Sequence, residues 1–346
     1  MSDFALLTKL GWQSFFQQQL SLEECESALP ARVVEQHRNE LLVTADSESF
    51  KIPITHSMPD LVVGDWLLLD EQHRFLRLLD RKTCFQRKAA GSQLKRQLIS
   101  ANVDSAFIVC SMNDDFNLNR IERFLSLVNE AGADPVVILS KSDLCSSPDH
   151  FVAQVRKLDA FLPVEDVNCL DENSVSKLMP WLKKGNTVCV LGSSGVGKST
   201  LINSLLGNSR QATGSIREDD DKGRHTTTQR SLIILESGGL ILDTPGMREI
   251  QVTDCKDGIA KTFTDIEELA NQCRFSDCKH LKEPGCAVRN AIDLGDLDER
   301  RLKNYLNLLR EESINSANIA EKRAKDKALG KFYRRTMDEA KTLKGR

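Results

Sequence analysis

Eight residues, Gly192-Ser193-Ser194-Gly195-Val196-Gly197-Lys198-Ser199, set glycines, a lysine and a hydroxyl at the spacing of a loop that wraps a polyphosphate. The glycines let backbone N–H groups converge on phosphate oxygens, and the Lys198 ammonium neutralises the outer ones. The Ser199 hydroxyl is expected to ligate Mg²⁺, with Thr200 completing the set that faces the nucleotide. Such a loop needs a strand before it and a helix after it. Residues 187–191 form an apolar run that reads as the strand, and 200–206 read as the helix.

Two further apolar runs, 233–235 and 239–242, read as buried strands, the second ending in Asp243-Thr244-Pro245-Gly246. An Asp at such a strand end holds the Mg²⁺ shell, and the Gly beyond it brings an N–H to the γ-phosphate. Between loop and strands lie the acidic run Glu218-Asp219-Asp220-Asp221 and the segment Gly223-Arg224-His225-Thr226-Thr227-Thr228. This reads as a switch loop whose threonine, assigned to Thr227, closes onto the metal. The position after Gly246, where many GTPases carry Gln to orient water, is Met247, so unaided hydrolysis is expected to be slow. His225 is the nearest replacement, either as the group that positions water or as an anchor for the switch.

The base-reading segment lies upstream. Ser140-Lys141-Ser142-Asp143 follows the apolar run 135–139, and the Asp143 carboxylate can accept from the N1–H and amino group of guanine, which adenine cannot offer. Lys141 can cover the base, and Ser140 stands where Asn or Thr is usual. After an expected helix over 149–161, Val167-Asn168-Cys169-Leu170 is where a backbone N–H would meet the guanine carbonyl. The order is base segment, phosphate loop, first switch, second switch: a GTPase domain with rotated chain order, joined through 170–186 and cut ahead of the strand at 105–110. GTP and GDP are the expected ligands.

Ten cysteines occur in 346 residues, with no signal-peptide pattern and no apolar run of membrane-spanning length, so a cytoplasmic chain with reduced thiols is expected. Cys273, Cys278, His280 and Cys286 cluster within fourteen residues around a Pro284-Gly285 turn. Three thiols and an imidazole suit one closed, structural Zn²⁺ site.

Five short runs at 31–35, 40–44, 50–54, 65–69 and 75–79 read as a small β-barrel, either OB-type or SH3-like. The connector 81–97 carries six basic and no acidic residues, which suits a phosphate-contacting strap or a solvated linker. A helix over 297–312 presents Leu302, Tyr305, Leu306, Leu308 and Leu309 at helical spacing. Residues 320–346 hold ten basic and four acidic residues, a net +6 in a chain of net −3, which suits either contact with nucleic acid or a solubilising tail.

The rotated motif order, GSSGVGKST, GRHTTT, DTPG, Asn117-Leu118-Asn119-Arg120-Ile121-Glu122-Arg123 and the cysteine cluster together resemble the RsgA/YjeQ family. The resemblance implies a multidomain chain. An N-terminal leader at 1–30 precedes an all-β OB-fold barrel at 31–98. A circularly permuted α/β P-loop GTPase follows at 99–250, then an α-helical zinc domain with a basic tail at 251–346. It implies a GTP hydrolase that binds the small (30S) ribosomal subunit and its rRNA, is stimulated by it and acts late in its maturation. It points to His225 as the catalytic histidine. A monomer with no membrane partner is expected. The alternative is a zinc-containing GTPase acting on another RNA or delivering metal.

Overall fold

The computed structural model describes residues 4–46, 48–88, 96–207, 230–243 and 255–315. His225, Thr227, Gly246, Met247 and the basic tail lie outside them. The chain divides into two compact units, 1–86 with 98–250, and 87–97 with 251–346.

Thirteen strands are described: β1 (Leu29–Gln36), β2 (Glu40–Ala45), β3 (Glu48–Pro53), β4 (Trp66–Leu69), β5 (Phe75–Leu78), β6 (Cys84–Lys88), β7 (Arg96–Ala101), β8 (Ser105–Ser111), β9 (Asp134–Ser140), β10 (Val164–Val167), β11 (Thr187–Gly192), β12 (Arg230–Ile234) and β13 (Leu240–Asp243). One sheet runs β10-β9-β8-β11-β13-β12-β1-β2-β3, with β4 and β5 branching from β1, while β6 and β7 pair separately. The strands β10, β9, β8, β11 and β13 are mutually parallel, and β12 returns antiparallel to β13. The near-continuous apolar composition of β8, β9, β11 and β13 is that of strands covered on both faces. Every residue of β8 and of β11 is buried.

Helix Leu118–Ala131 connects β8 to β9. It opens on Asn117, whose side chain accepts the Arg120 N–H, and stops at Gly132 in the left-handed region. Helix Pro148–Arg156 connects β9 to β10 and ends five residues short of the expected 161. There the Asp159 side chain accepts the Phe161 N–H at 2.8 Å, a local turn that competes with the helix. Helix Lys198–Leu206 follows β11 and buries Leu201, Ile202 and Leu206 against Phe107, Val109, Val188 and Ile241. Each such side chain contributes about 1.5–3 kcal/mol. Strands β8, β9 and β10 precede β11 in the chain yet all lie on one side of it, and β13 and β12 lie on the other. This is the connectivity that the rotated motif order requires.

All five expected N-terminal strands form, in the spatial order β3-β2-β1-β4-β5. They are not a separate sheet. β1 has eight residues and β4 only four, so the far end of β1 leaves an edge that β12 covers, with Glu35 opposite Ser231 and Gln36 opposite Arg230. Residues 7–16 are also built in. Leu7, Leu10, Trp12 and Phe16 pack with Trp66, Leu68 and Leu79, the Trp12 and Trp66 rings meeting edge-on at 4.8 Å. Beneath them Arg32 is buried and donates to the carbonyls of Leu10, Gly64 and Asn102, burial lowering its pKa to about 10.

Two of the connector's cations are likewise structural. Arg81 makes two bonds, 2.6 and 2.8 Å, to the fully buried Asp65 carboxylate. Lys82 reaches Gln13 at 3.0 Å and Asp104 at 3.4 Å. A strap for phosphates therefore begins no earlier than Arg87.

The second unit packs helices Lys256–Thr262, Thr264–Ala270 and Ala287–Leu294, with further helix through 299–315. Leu302, Tyr305 and Leu308 are buried, as the periodicity requires. Arg301 grips Asp265 through bonds of 2.8 and 2.9 Å and lies 4.7 Å over the Phe263 ring, while Tyr305 donates to Glu267 at 2.7 Å. Among the described residues no helix is long and apolar enough to cross a membrane.

Candidate nucleotide site and metal centre

The phosphate loop leaves the sheet at the C-terminal end of β11, the edge at which ligands bind in parallel α/β sheets. Gly192 has φ 144°, and a Cβ there would come 2.4 Å from the Val109 carbonyl oxygen, so only glycine lets the loop start against β8. Gly197, at φ 95°, is the N-cap of helix Lys198–Leu206, and no side chain caps that helix. Its N-terminus therefore faces the loop, the arrangement that binds anions. Ser193, Ser194 and Gly195 form the accessible rim, whereas Val196 and Lys198 are buried. The Lys198 ammonium donates to the Ser193 carbonyl across the loop it would share with a phosphate. Ser199 and Thr200, in the first helical turn, are half-buried.

The base segment arrives at the same sheet edge on β9. Ser140 is fully buried, and its hydroxyl donates to the Val196 carbonyl at 2.6 Å, bolting β9 to the phosphate loop. A hydroxyl so used positions the segment and does not itself face the base. Lys141 takes the left-handed conformation, φ 60° and ψ 38°, at a cost of about 1–2 kcal/mol for an L-residue, and turns the chain into the short helical turn Ser142–Leu144. Asp143 is exposed, so its carboxylate is accessible at the surface of the site. Its charge reaches Cys169, whose thiol is pushed up to about 11 mainly by burial and next by Asp143. Cys169 also lies 4.0 Å from where a Gly197 Cβ would stand. Ser140, Asp143, Cys169 and Gly197 are thus gathered from three stretches of chain. β13 runs parallel to β11 with Leu242 opposite Cys189, so the backbone of Asp243 ends beside the loop's root.

The structure adds one residue that motif reading passed over. Ser204, on the phosphate-loop helix, donates from its hydroxyl to the Cys169 carbonyl. Its only signal in the sequence is a polar position within an apolar helical stretch.

The second unit holds the metal-ligand group. One donor atom each from Cys273, Cys278, His280 and Cys286 lies within 4.8 Å of all the others. Cys273 Sγ is 3.6 Å and Cys286 Sγ 3.5 Å from His280 Nδ1, and the two sulfurs are 3.9 Å apart. The loop is organised around them. The Glu283 carboxylate accepts N–H bonds from Lys279, Leu281 and Lys282. Arg289 donates to the carbonyls of His280 and Leu281, and its own N–H is accepted by Cys286 Sγ at 3.4 Å. The donor set can hold one tetrahedral ion with no position left for water.

A family model described as RsgA GTPase matches residues 78–253. The small ribosomal subunit biogenesis GTPase RsgA 2 of Vibrio parahaemolyticus is 54% identical over 333 residues, covering 96% of this chain and 93% of its own. The chain belongs to the RsgA family. A second RsgA relative, the small ribosomal subunit biogenesis GTPase of Xanthomonas euvesicatoria, is 46% identical over 326 residues, covering 91% of this chain and 86% of its own. Among solved structures, YjeQ from Thermotoga maritima superposes with a TM-score of 0.63 at 24% identity, covering 82% of this chain and 98% of that one. YloQ, described as a circularly permuted GTPase, gives 0.61 at 23% identity, with 84% and 97% covered. Those two bear on the fold, which they match in its permuted order. As a member of the RsgA family this chain is a GTP hydrolase.

Proposed function

We propose that this chain binds the small (30S) ribosomal subunit and acts in its late maturation, with GTP hydrolysis stimulated by the subunit and coupled to release. The observation that carries the reading is the convergence of Asp143 and Cys169 on the phosphate loop from chain segments in permuted order, joined to the names of relatives that align over nearly the whole length. Asp143 accepts from the guanine edge, Lys141 covers the ring and the Cys169 N–H meets the guanine carbonyl. Lys198, with the N–H groups of the loop from Gly192 to Thr200, holds the phosphates. Ser199, Asp243 and Thr227 would hold Mg²⁺, which would offset the charge of the phosphates; Gly246 would present its N–H to the γ-phosphate. His225 positions the attacking water once its switch is ordered on the subunit.

Zn²⁺ is the ion that suits the Cys₃His group. With Zn–S near 2.3 Å and Zn–N near 2.0 Å, tetrahedral geometry sets S···S at roughly 3.8 Å and S···N at roughly 3.6 Å. The 3.9, 3.6 and 3.5 Å separations agree with that. Its closed donor set supports a structural ion. In this reading 31–98 is an OB-type barrel behind a leader at 1–30, 99–250 the GTPase and 251–346 the zinc domain with a basic tail. The tail and the basic connector contact rRNA, and the protein works as a cytoplasmic monomer.

The test is turnover of GTP and of ATP with and without purified small subunits. GTP is expected to be hydrolysed slowly alone and much faster with subunits, and ATP not at all. His225→Ala is expected to lose about a hundredfold or more of the stimulated rate. Equal turnover of ATP, or indifference to subunits, overturns the proposal.

A further inference from the structure

The turn after β10 spends its amides unevenly. Asn168 N–H donates to Ser174 Oγ at 2.9 Å, Leu170 N–H to Asn168 Oδ1 at 2.9 Å, and Asp171 N–H to the Asn168 carbonyl at 3.2 Å. Among the described residues the Cys169 N–H has no such partner. On the other side of the same Cα, the Cys169 carbonyl accepts the Ser204 hydroxyl. Cys169 is 6% exposed, so its polar groups are held by protein or reserved for something that enters the site.

We infer that Ser204 is a positioning residue for base selection, holding Cys169 from the phosphate-loop helix so that the Cys169 N–H is aimed at the carbonyl of a 6-oxopurine. The inference rests on the guanine reading above. Adenine carries an amino group where guanine and hypoxanthine carry that carbonyl, and a donor N–H facing an amino group makes no bond. Asn168 fixes the turn from one end, through its own N–H on Ser174 and its side chain on Leu170, and Ser204 fixes it from the other. Ser204 sits on the helix that begins with Lys198 and Ser199, so the base-reading turn and the phosphate cradle share one rigid element. The Ser140 bond to Val196 supplies the matching link from β9. Between them the two hydroxyls give the purine and its phosphates a common frame, although their segments are far apart in the chain.

The experiment measures binding of GDP, IDP, ADP and inorganic pyrophosphate to full-length wild-type, Ser204→Ala and Ser204→Thr proteins, with urea midpoints taken in parallel. Ser204→Ala is expected to weaken GDP and IDP by roughly three- to tenfold, the effect of one hydrogen bond, and to leave ADP and pyrophosphate unchanged. Ser204→Thr, which keeps the hydroxyl, is expected to restore the wild-type ratio of GDP to ADP affinity. An unchanged ratio in Ser204→Ala overturns the inference, as does equal weakening of all four ligands, which would mark a general packing role. A wild-type protein that binds ADP as tightly as GDP overturns the guanine reading and the inference with it.

Discussion

The phosphate loop and the metal loop are both short, turn-rich segments, yet they are held in place by different means. The first hangs between two structured elements, β11 and helix Lys198–Leu206, whose apolar residues lie in the main core. Its shape is therefore set by the sheet before any ligand arrives. The loop from Cys273 to Cys286 has no strand beside it among the described residues, and most of its side chains are accessible, with Phe275 42% and Leu281 54% exposed. Burial contributes little there, so four ligand atoms and the amides gathered by Glu283 must do what a core does elsewhere. A loop on a sheet can release its ligand every cycle; a loop without one has to keep it.

That contrast can be broken most sharply by removing the Zn²⁺ proposed for the Cys₃His group. Chelation, or Cys278→Ser, is expected to abolish ordered structure over 273–286, because metal binding on the scale of about 10 kcal/mol is then the folding free energy of the loop. Hydrogen exchange should show amides of this loop losing protection while β8, β9 and β11 keep theirs. Equal loss in both would show that the two loops do not differ in this way.

The opposite break is Lys198→Ala. GTP hydrolysis is expected to fall about a hundredfold or more, with the urea midpoint little changed, since the ammonium donates to the Ser193 carbonyl of its own loop. A large fall in the midpoint would mean that the loop helps to hold the sheet. The smallest effect belongs to the surface of the first unit. Glu24, bonded to Arg77 at 2.6 and 3.0 Å, has its pKa lowered to about 2 from 4.5, chiefly by that contact. Because the folded pKa is the lower one, its contribution is complete above about pH 4.5 and lost as pH falls through about 2. Glu24 is partly exposed, so Glu24→Gln should be less stable than wild type by less than about 1 kcal/mol above about pH 4.5, the difference fading as pH falls through about 2.

Much of the site was legible in the chain. The phosphate loop, the cysteine cluster and nearly every strand are local signals: spacing of glycines, spacing of soft ligands, runs of apolar residues. The helix expected to reach 161 stops at Arg156 because Asp159 turns the backbone, a contest between helix and side chain that periodicity does not weigh. Arg81 and Lys82 counted as free cations in the composition, but burial of Asp65 and the position of Asp104 claim both. In the leader, Leu7, Leu10, Trp12 and Phe16 need an apolar surface, and Trp66 with Leu68 and Leu79 is that surface.

What the amino-acid order determined alone was chemistry: which residues can cradle phosphates, ligate a soft metal ion and accept from guanine, and that their motifs come in rotated order. Tertiary structure alone decided the partnerships, namely Ser140 with Val196, Ser204 with Cys169, and β1 with β12. Each of these joins segments distant in the chain through a single directional bond or a two-residue ladder. Such contacts leave no periodic trace in sequence, because one hydroxyl or one strand end looks the same with or without the neighbour that folding brings to it.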